Sequence, residues 1–332
     1  MTGCPDPTQT LRAQTLDLPP ALAGHLTPAL ETAARRIEAA MRPYRLRLTP
    51  RSGSLLAEGD DIAVTLVARI VEDLAKAEPA PGQADEALIL ATAAATTRDA
   101  LKHDLSWRLT GLHQPLRPMS LAQVAFVNAL LHGDHPLIFG VGPTGTGKTH
   151  LAVATGLSLL AEGRFKHMVI TRPHVLLDGE VMTAALRAET QPDDQLTAIE
   201  DVLRDLVGLD EINRLISHGL IEIAPLGRMR GRTFNDSFII LDEAQNMTIR
   251  KMRMAVTRIG RGSRMVITGD PDQNDLPREE PSGLTHLLEL ITGTDIALVH
   301  QFTQRQIVRN DVVARLEDLY RRSESPELKA AA

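Results

Sequence analysis

The chain has 332 residues, of which 43% are hydrophobic and 23% are charged, and its formal net charge at pH 7 is -6. These proportions exclude a disordered chain and a fibre. The acidic balance argues against a protein whose whole surface coats nucleic acid, but it permits a local basic groove.

Cys4 is the only cysteine. An internal disulfide bond is therefore impossible, and a reducing, cytoplasmic compartment is the expected setting. The first residues lack a basic segment followed by an apolar one, and no apolar run reaches 18 residues. We therefore expect neither export nor a membrane-spanning segment.

The first third of the chain divides into three parts. Residues 1–20 show no sustained period and are predicted to be a loose leader. Residues 21–77 contain two amphipathic helical patterns and, around "RSG", two short alternating runs that predict a hairpin, so they form a small α/β domain. Residues 78–113 are predicted to be a Pro- and Gly-containing linker followed by a connecting helix.

From residue 114 to 332, apolar strand patterns such as "PLIFG", "HMVIT", "SFIILD" and "RMVITGD" alternate with helical patterns. Continuous apolar strands separated by helices are typical of a parallel sheet covered on both faces. The predicted fold class is therefore α/β, with a large parallel-sheet domain after a smaller one.

A glycine-rich loop lies between the strand pattern "PLIF" and the helical pattern "LAVATGLSLLA". It fits G-x-x-x-x-G-K-[ST], in which backbone N–H groups and a helix N-terminus surround phosphate oxygens. Lys148 is expected to reach the β- and γ-phosphates, and the Thr149 hydroxyl to bind Mg²⁺. The predicted nucleotide-binding residues of this loop are Gly142, Pro143, Thr144, Gly145, Thr146, Gly147, Lys148 and Thr149.

Two later strand patterns end in polar residues. "SFIILDEAQN" places Asp242 to hold Mg²⁺ and Glu243 to orient or deprotonate the attacking water; the alternative is an acidic pair that stabilises the next helix. "RMVITGDPDQNDLP" places Gln273 or Thr268 where RecA-like NTPases sense the γ-phosphate. The alternative there is that "DPDQ" is only a type I turn.

Together, "GPTGTGKT", "VITRP", "MRGRTFNDSFIILDEAQN", "VITGDPDQNDLP" and "IVRNDVVARLEDLY" resemble the PhoH-like family of ATPases, in order from about Pro115 to Tyr320. The resemblance implies a RecA-like core related to superfamily 1 helicases, with ATP, Mg²⁺ and RNA as ligands. Residues 21–77 resemble the KH-like N-terminal part of the short family members. Residues 181–203 depart from the family pattern, and "RND" stands where the family usually has "RHP".

The resemblance also assigns Gln123, in "RPMSLAQ", to the glutamine that contacts adenine in the family. The competing interpretation is local, since Ser120 and Gln123 fit a helix capping box. The choice between ATP and GTP stays open because it depends on this residue alone.

Four arginines are candidates for stabilising the charge of a transferring phosphoryl group. A superfamily 1 helicase supplies such groups from a second RecA-like domain, and this chain has room for only one. We therefore expect a homo-oligomer, such as a hexameric ring, in which a neighbouring subunit supplies Arg309 or Arg230. Pairing with surface acids is the alternative. The four arginines are Arg228, Arg230, Arg232 and Arg309.

Two runs, residues 35–51 and 250–264, are rich in arginine and favour a nucleic-acid track; solvated helix faces are the alternative. The hairpin segment "TPRSGS" lacks the G-x-x-G of a KH clamp. The favoured function is ATP hydrolysis coupled to RNA binding or remodelling, in the manner of an RNA helicase. The alternative is a nucleotide-gated adaptor for a protein partner; the resemblance implies a YbeY-type endoribonuclease.

Overall fold

The computed structural model describes residues 11–19, 28–41, 44–77, 85–105, 107–173, 197–277 and 279–307. Within these ranges the chain forms one three-stranded antiparallel sheet and one six-stranded parallel sheet, each packed against helices.

The antiparallel sheet belongs to the N-terminal part of the chain. Its strands β1 (Leu11–Asp17), β2 (Leu46–Arg51) and β3 (Ser54–Asp60) lie in the order β1-β3-β2. Helices α1 (Pro28–Ala40) and α2 (Asp61–Lys76) bury one apolar face each against the sheet. The predicted hairpin is present as β2 and β3, and Gly53 supplies the left-handed backbone (φ 76°) that its tight turn requires.

The prediction of a loose leader over residues 1–20 is wrong for Leu11–Asp17, which pair with β3 along their whole length. Within β1 only Leu16 is buried, because most of its side chains face solvent. The strand is therefore held by backbone hydrogen bonds at a sheet edge and carries little of the alternation by which a strand is recognised. The first ten residues lie outside the described part of the chain.

The connecting helix forms α3 (Glu86–His103), capped by the Asp85 side chain, which accepts a hydrogen bond from the Leu88 N–H. It packs alongside α1 and α2. The Thr96 hydroxyl donates to Asp73 at 2.8 Å, and Arg69 pairs with Asp99 and Asp104. Helix α3 therefore packs with the two helices of the N-terminal part of the chain.

The parallel sheet has the strand order β6-β5-β7-β8-β4-β9, and every neighbouring pair is parallel. The prediction of a RecA-like α/β core is confirmed. The strands are β4 (Leu137–Val141), β5 (His167–Thr171), β6 (Ile221–Ile223), β7 (Ser237–Leu241), β8 (Arg264–Gly269) and β9 (Ala297–Gln301). The helices around them are α4 (Leu121–His132), α5 (Lys148–Ala161), α6 (Thr197–Val207), α7 (Leu209–Ser217), α8 (Ile249–Val256) and α9 (Gly283–Ile291).

Both faces of this sheet are covered. In β7, Phe238 and Ile240 point into the layer of α4 and α5, while Ile239 and Leu241 point into the layer of α8 and α9. All four side chains have no measurable exposure. A strand buried on both faces must be apolar at every position, which explains the continuous runs in the sequence. Polar residues are left for the strand ends, where the site lies.

The edge strand β9 carries a partly buried histidine, His300. The ring of His300 lies 5.7 Å from that of Phe126, and its Nε2 has no hydrogen-bond partner among the described residues. Burial lowers the pKa of His300 to about 4. Because the unfolded chain then takes up the proton first as the pH falls, stability is lost between about pH 6.5 and pH 4.

We therefore expect His300 to reduce the free energy of unfolding by about 2 kcal/mol between pH 7 and pH 5. Urea denaturation at the two pH values measures this loss, and His300→Leu should lack it. The variant His132→Leu, at an exposed histidine that ends α4, is the control. An undiminished pH dependence in His300→Leu would contradict the assignment.

Candidate nucleotide-binding site

The glycine-rich loop joins β4 to α5 and uses backbone conformations that other residues rarely adopt. Gly142, Gly145 and Gly147 have φ values of 132°, 84° and 85°. A Cβ on Gly142 would also lie 2.3 Å from the Phe302 carbonyl oxygen. The glycines are therefore required by the path of the chain from β4 into the N-terminus of α5, the kind of loop that binds phosphate.

Lys148 is the first residue of α5 and is 8% exposed. Its ammonium group donates to the carbonyl oxygens of Gly142 and Pro143, at 2.6 and 2.8 Å, and to the Thr146 hydroxyl at 3.2 Å. Burial lowers the pKa of Lys148, and the nearby carboxylates, Asp270 foremost, oppose that shift. The side chain thus places a buried positive charge inside the loop, suited to phosphate oxygens.

The predicted metal-binding pair meets at the end of β7. The Thr149 hydroxyl donates to Asp242 Oδ1 at 2.6 Å, and the Thr268 hydroxyl donates to the same oxygen at 2.7 Å. Asp242 is 3% exposed and Thr268 is fully buried. A hydroxyl and a carboxylate this close are an oxygen donor set that fits Mg²⁺ bound together with nucleotide phosphates.

Glu243 follows Asp242 with a left-handed backbone, φ 51°. Its side chain is 28% exposed and lies beside the glycine-rich loop, lining the same small cavity as Thr144 and Lys148. The structure therefore places a carboxylate at the mouth of the phosphate site, as the sequence predicts. A short 3-10 helix, Ala244–Asn246, begins directly after Glu243, but the Glu243 side chain makes no capping hydrogen bond to it, so side-chain capping, as in the alternative of an acidic pair that stabilises the next helix, is not observed.

The turn interpretation of "DPDQ" agrees with the structure, while γ-phosphate sensing by Gln273 stays a prediction. The Gln273 N–H donates to the Asp270 carbonyl, as in a β-turn. The Gln273 side chain also accepts a hydrogen bond from the Thr144 hydroxyl at 2.8 Å. Gln273 thus contacts the glycine-rich loop, whereas Thr268 donates its hydrogen bond to Asp242.

Gln123 lies in the first turn of α4 and is 4% exposed. Its backbone N–H donates to the Ser120 hydroxyl, so half of the capping box is present. The reciprocal half is absent, because Gln123 Oε1 accepts from the Met119 N–H at 2.6 Å. The Nε2 group donates to the Thr146 carbonyl at 2.9 Å, which ties α4 to the phosphate loop.

Gln123 also borders a cavity of about 560 Å³ beside the loop, together with Pro115, Met119, His150 and Leu151. The cavity is lined by apolar side chains and the His150 imidazole, with Arg117 and Asp205 also in its lining, and burial lowers the pKa of His150. A flat, largely apolar base fits such a cavity. Adenine contact by Gln123 remains a prediction, since the described geometry uses one Nε2 hydrogen for Thr146.

Two of the candidate arginines, Arg232 and Arg230, have clearly different surroundings within the described residues. Arg232 makes two hydrogen bonds of 2.6 Å to Glu222 and lies over the Phe234 ring, so for this residue pairing with a surface acid is the observed state. Arg230 is exposed and has no side-chain partner within the described residues. Its segment follows β6, which is four strand positions, about 19 Å, from β4. Arg309 lies outside the described ranges.

The two basic runs differ in how many charges remain free. In the second run Arg264 is partly buried and donates to the carbonyls of Leu130 and Gly133, so it supports the fold. In the first run Arg36 pairs with Glu86 and Arg45 with Asp60, and Arg42 is not among the described residues. In the described parts of these two runs, the exposed basic side chains without an acidic partner are Arg35, Arg47, Arg51, Arg250, Lys251, Arg253 and Arg261.

Three further residues of the site were given no role from the sequence. The Asp270 carboxylate accepts a hydrogen bond from the Thr144 N–H, Gln245 bridges Asp270 and Glu243, and Arg172 lies beside Glu243. Each of them follows an apolar strand pattern, and this position is the sequence feature that could have identified them. Their contacts, however, depend on the strand order, which the sequence pattern does not give.

Among the described residues, none of the helices is both long and apolar enough to cross a membrane.

Comparison with known proteins agrees with this geometry. Residues 115–321 match the family model described as PhoH-like protein. A PhoH-like protein of Bacillus subtilis is 40% identical over 205 residues, 62% of this chain and 64% of the relative, so just under two thirds of its length is covered. A PhoH-like protein of Mycobacterium bovis is 33% identical over 319 residues, 94% of this chain and 88% of the relative. The chain belongs to the PhoH-like protein family.

Proposed function

We propose that this protein binds ATP with Mg²⁺ and hydrolyses it in the cytoplasm, and that hydrolysis is coupled to RNA binding or remodelling. The ATPase part rests on the hydrogen bond from the Thr149 hydroxyl to Asp242 Oδ1, 2.6 Å long. This hydrogen bond lies beside the buried Lys148 and next to Glu243. A phosphate loop, a magnesium carboxylate and a water-orienting carboxylate are the parts that phosphoryl transfer to water requires.

In the proposed reaction, water forms a bond to the γ-phosphorus as the bond to the β,γ-bridging oxygen breaks, which yields ADP and phosphate. Glu243 orients the water and accepts its proton. Lys148 balances charge on the phosphate oxygens, and Gln273, held on Thr144, senses the γ-phosphate. Mg²⁺, held by Thr149 and Asp242, would neutralise charge on the β- and γ-phosphates.

The arginine finger is proposed to come from a second copy of the chain. Arg230 is exposed and unpaired within the described residues, and it lies in the segment after β6, a strand about 19 Å from β4 of the same subunit by strand spacing. An extended arginine side chain does not span that distance, whereas a neighbouring subunit in a ring can present it. Arg309 is the second candidate.

RNA is the proposed partner because free positive charge is concentrated on the exposed face of α8. Arg250, Lys251 and Arg253 point to solvent there without acidic partners within the described ranges, on a chain whose net charge is -6. Concentrated charge of this kind favours a polyanion bound along a defined track.

Steady-state ATP hydrolysis with and without single-stranded RNA, with Lys148→Ala as the blank, tests the proposal. We expect RNA to stimulate turnover, and the RNA concentration for half-maximal stimulation to rise steeply between about 50 and 200 mM salt. Turnover above the blank without stimulation by RNA would contradict the RNA coupling. It would favour a nucleotide-gated adaptor whose partner is a protein, such as a YbeY-type endoribonuclease.

A further inference from the structure

Arg172 lies beside the two carboxylates that end β7. It directly follows β5, and β5 pairs with β7 in parallel register, with Thr171 opposite Leu241. The Asp242 N–H then donates to the Thr171 carbonyl at 2.9 Å. One residue further along both strands, the register brings Arg172 next to Asp242 and Glu243.

The guanidinium favours one of these carboxylates. Its Nη2 is 3.3 Å from Glu243 Oε1, whereas its Nη1 is 4.0 Å from Asp242 Oδ2. Asp242 already accepts two hydrogen bonds, from Thr149 and Thr268, on its other oxygen. Arg172 is 28% exposed along its side chain, so water screens this ion pair less than one on the open surface.

The second oxygen of Glu243 is held as well. Gln245 Nε2 donates to Glu243 Oε2 at 2.6 Å, and Gln245 Oε1 accepts from the Asp270 N–H at 3.0 Å. Gln245 is 2% exposed and therefore fixed in place. Both oxygens of the Glu243 carboxylate therefore have a partner. One accepts a hydrogen bond from the buried Gln245 amide, and the other is paired with the Arg172 guanidinium from the end of the neighbouring strand.

Fixing the orientation of the Glu243 carboxylate is important if this group orients the attacking water. A glutamate has three side-chain torsions, and the left-handed backbone at Glu243 is one that few residues other than glycine adopt. Each carboxylate oxygen accepts two hydrogen bonds, so an oxygen held by Arg172 or Gln245 can still accept one from water. A misplacement of about 1 Å can lower a rate roughly 100-fold.

We propose that Arg172 is a positioning residue for hydrolysis, which acts by holding the Glu243 carboxylate in the orientation that accepts the proton of the attacking water. The proposal rests on the ATPase function proposed above. It assigns Arg172 no contact with the nucleotide, so its removal should affect turnover and leave ATP binding almost unchanged.

Steady-state kinetics of Arg172→Ala and Arg172→Lys test this role. We expect Arg172→Ala to lower kcat by at least about tenfold while KM for ATP changes less than about threefold. Arg172→Lys should be intermediate, because it keeps the charge but not the planar fork. The matched control is Arg214→Ala, which removes an arginine paired with Glu211 on α7, away from the site, and should turn over like the unaltered protein.

A double variant separates positioning from a general structural effect. If Arg172 acts through Glu243, then adding Arg172→Ala to Glu243→Gln should lower kcat no further. Additive losses, a parallel rise in KM, or a kcat of Arg172→Ala within about twofold of the unaltered protein would each overturn the proposal. An unaltered protein no faster than Lys148→Ala would contradict the ATPase function itself, and with it this role.

Discussion

Lys148→Ala is expected to lower ATP turnover by at least about 100-fold, the loss typical when a preorganised charge that stabilises the transition state is removed. The buried ammonium lies within the phosphate loop, and alanine leaves no group there that can balance the phosphate charge. Phosphate release from ATP, followed with purified protein, measures the effect.

The control for this prediction is Lys166→Ala. Lys166 is exposed and pairs with Asp236 just before β5, at the opposite end of the sheet from the loop. Its removal should leave turnover unchanged. Thermal unfolding of both variants tests whether a loss of activity reflects the site or the fold. Turnover of folded Lys148→Ala near that of the unaltered protein would contradict the assignment of the loop as the catalytic phosphate site.

Glu243→Gln is expected to separate binding from hydrolysis. The amide keeps the size of the side chain but cannot accept the proton of the attacking water, so kcat should fall by about 10² to 10⁴-fold. The phosphate loop, Lys148, Thr149 and Asp242 are untouched, so ATP should still bind. Equilibrium titration with a fluorescent ATP analogue in the presence of Mg²⁺, beside the steady-state assay, measures both quantities.

Glu289→Gln is the matched control, since Glu289 is exposed on α9 and lies outside the site. It should hydrolyse ATP like the unaltered protein. If Glu243→Gln retained a kcat within about tenfold of that of the unaltered protein, a carboxylate base at this position would be contradicted. Gln273, which contacts the loop through Thr144, would then be the residue to alter next as the group that orients water.

Much of the site was predictable because its parts are local. The loop from Gly142 to Thr149 is one short segment, and Asp242 follows an apolar strand directly. In a parallel sheet the carboxyl ends of the strands meet at one edge, so the two segments were expected to meet. The hydrogen bond from Thr149 to Asp242 agrees with that expectation.

Other contacts could not be predicted from the sequence pattern. Gln123 fits a capping box by its spacing, yet its amide joins Met119 to Thr146, a residue of the distant loop. Arg264 belongs to a basic run in the sequence, but its guanidinium donates hydrogen bonds to backbone carbonyls. In each case the partner lies far away in sequence, and charge or spacing alone does not reveal it.

The sequence by itself determined the α/β class, the phosphate loop and the carboxylates that follow β7, because these depend on burial periodicity and on short segments. Only the tertiary structure decided the strand order, and with it the contact of Arg172 with Glu243, of Thr268 with Asp242 and the pairing of β1. The physical reason is that periodicity reports which faces are buried. It does not report which distant segment covers each face, since that follows from packing of the whole chain.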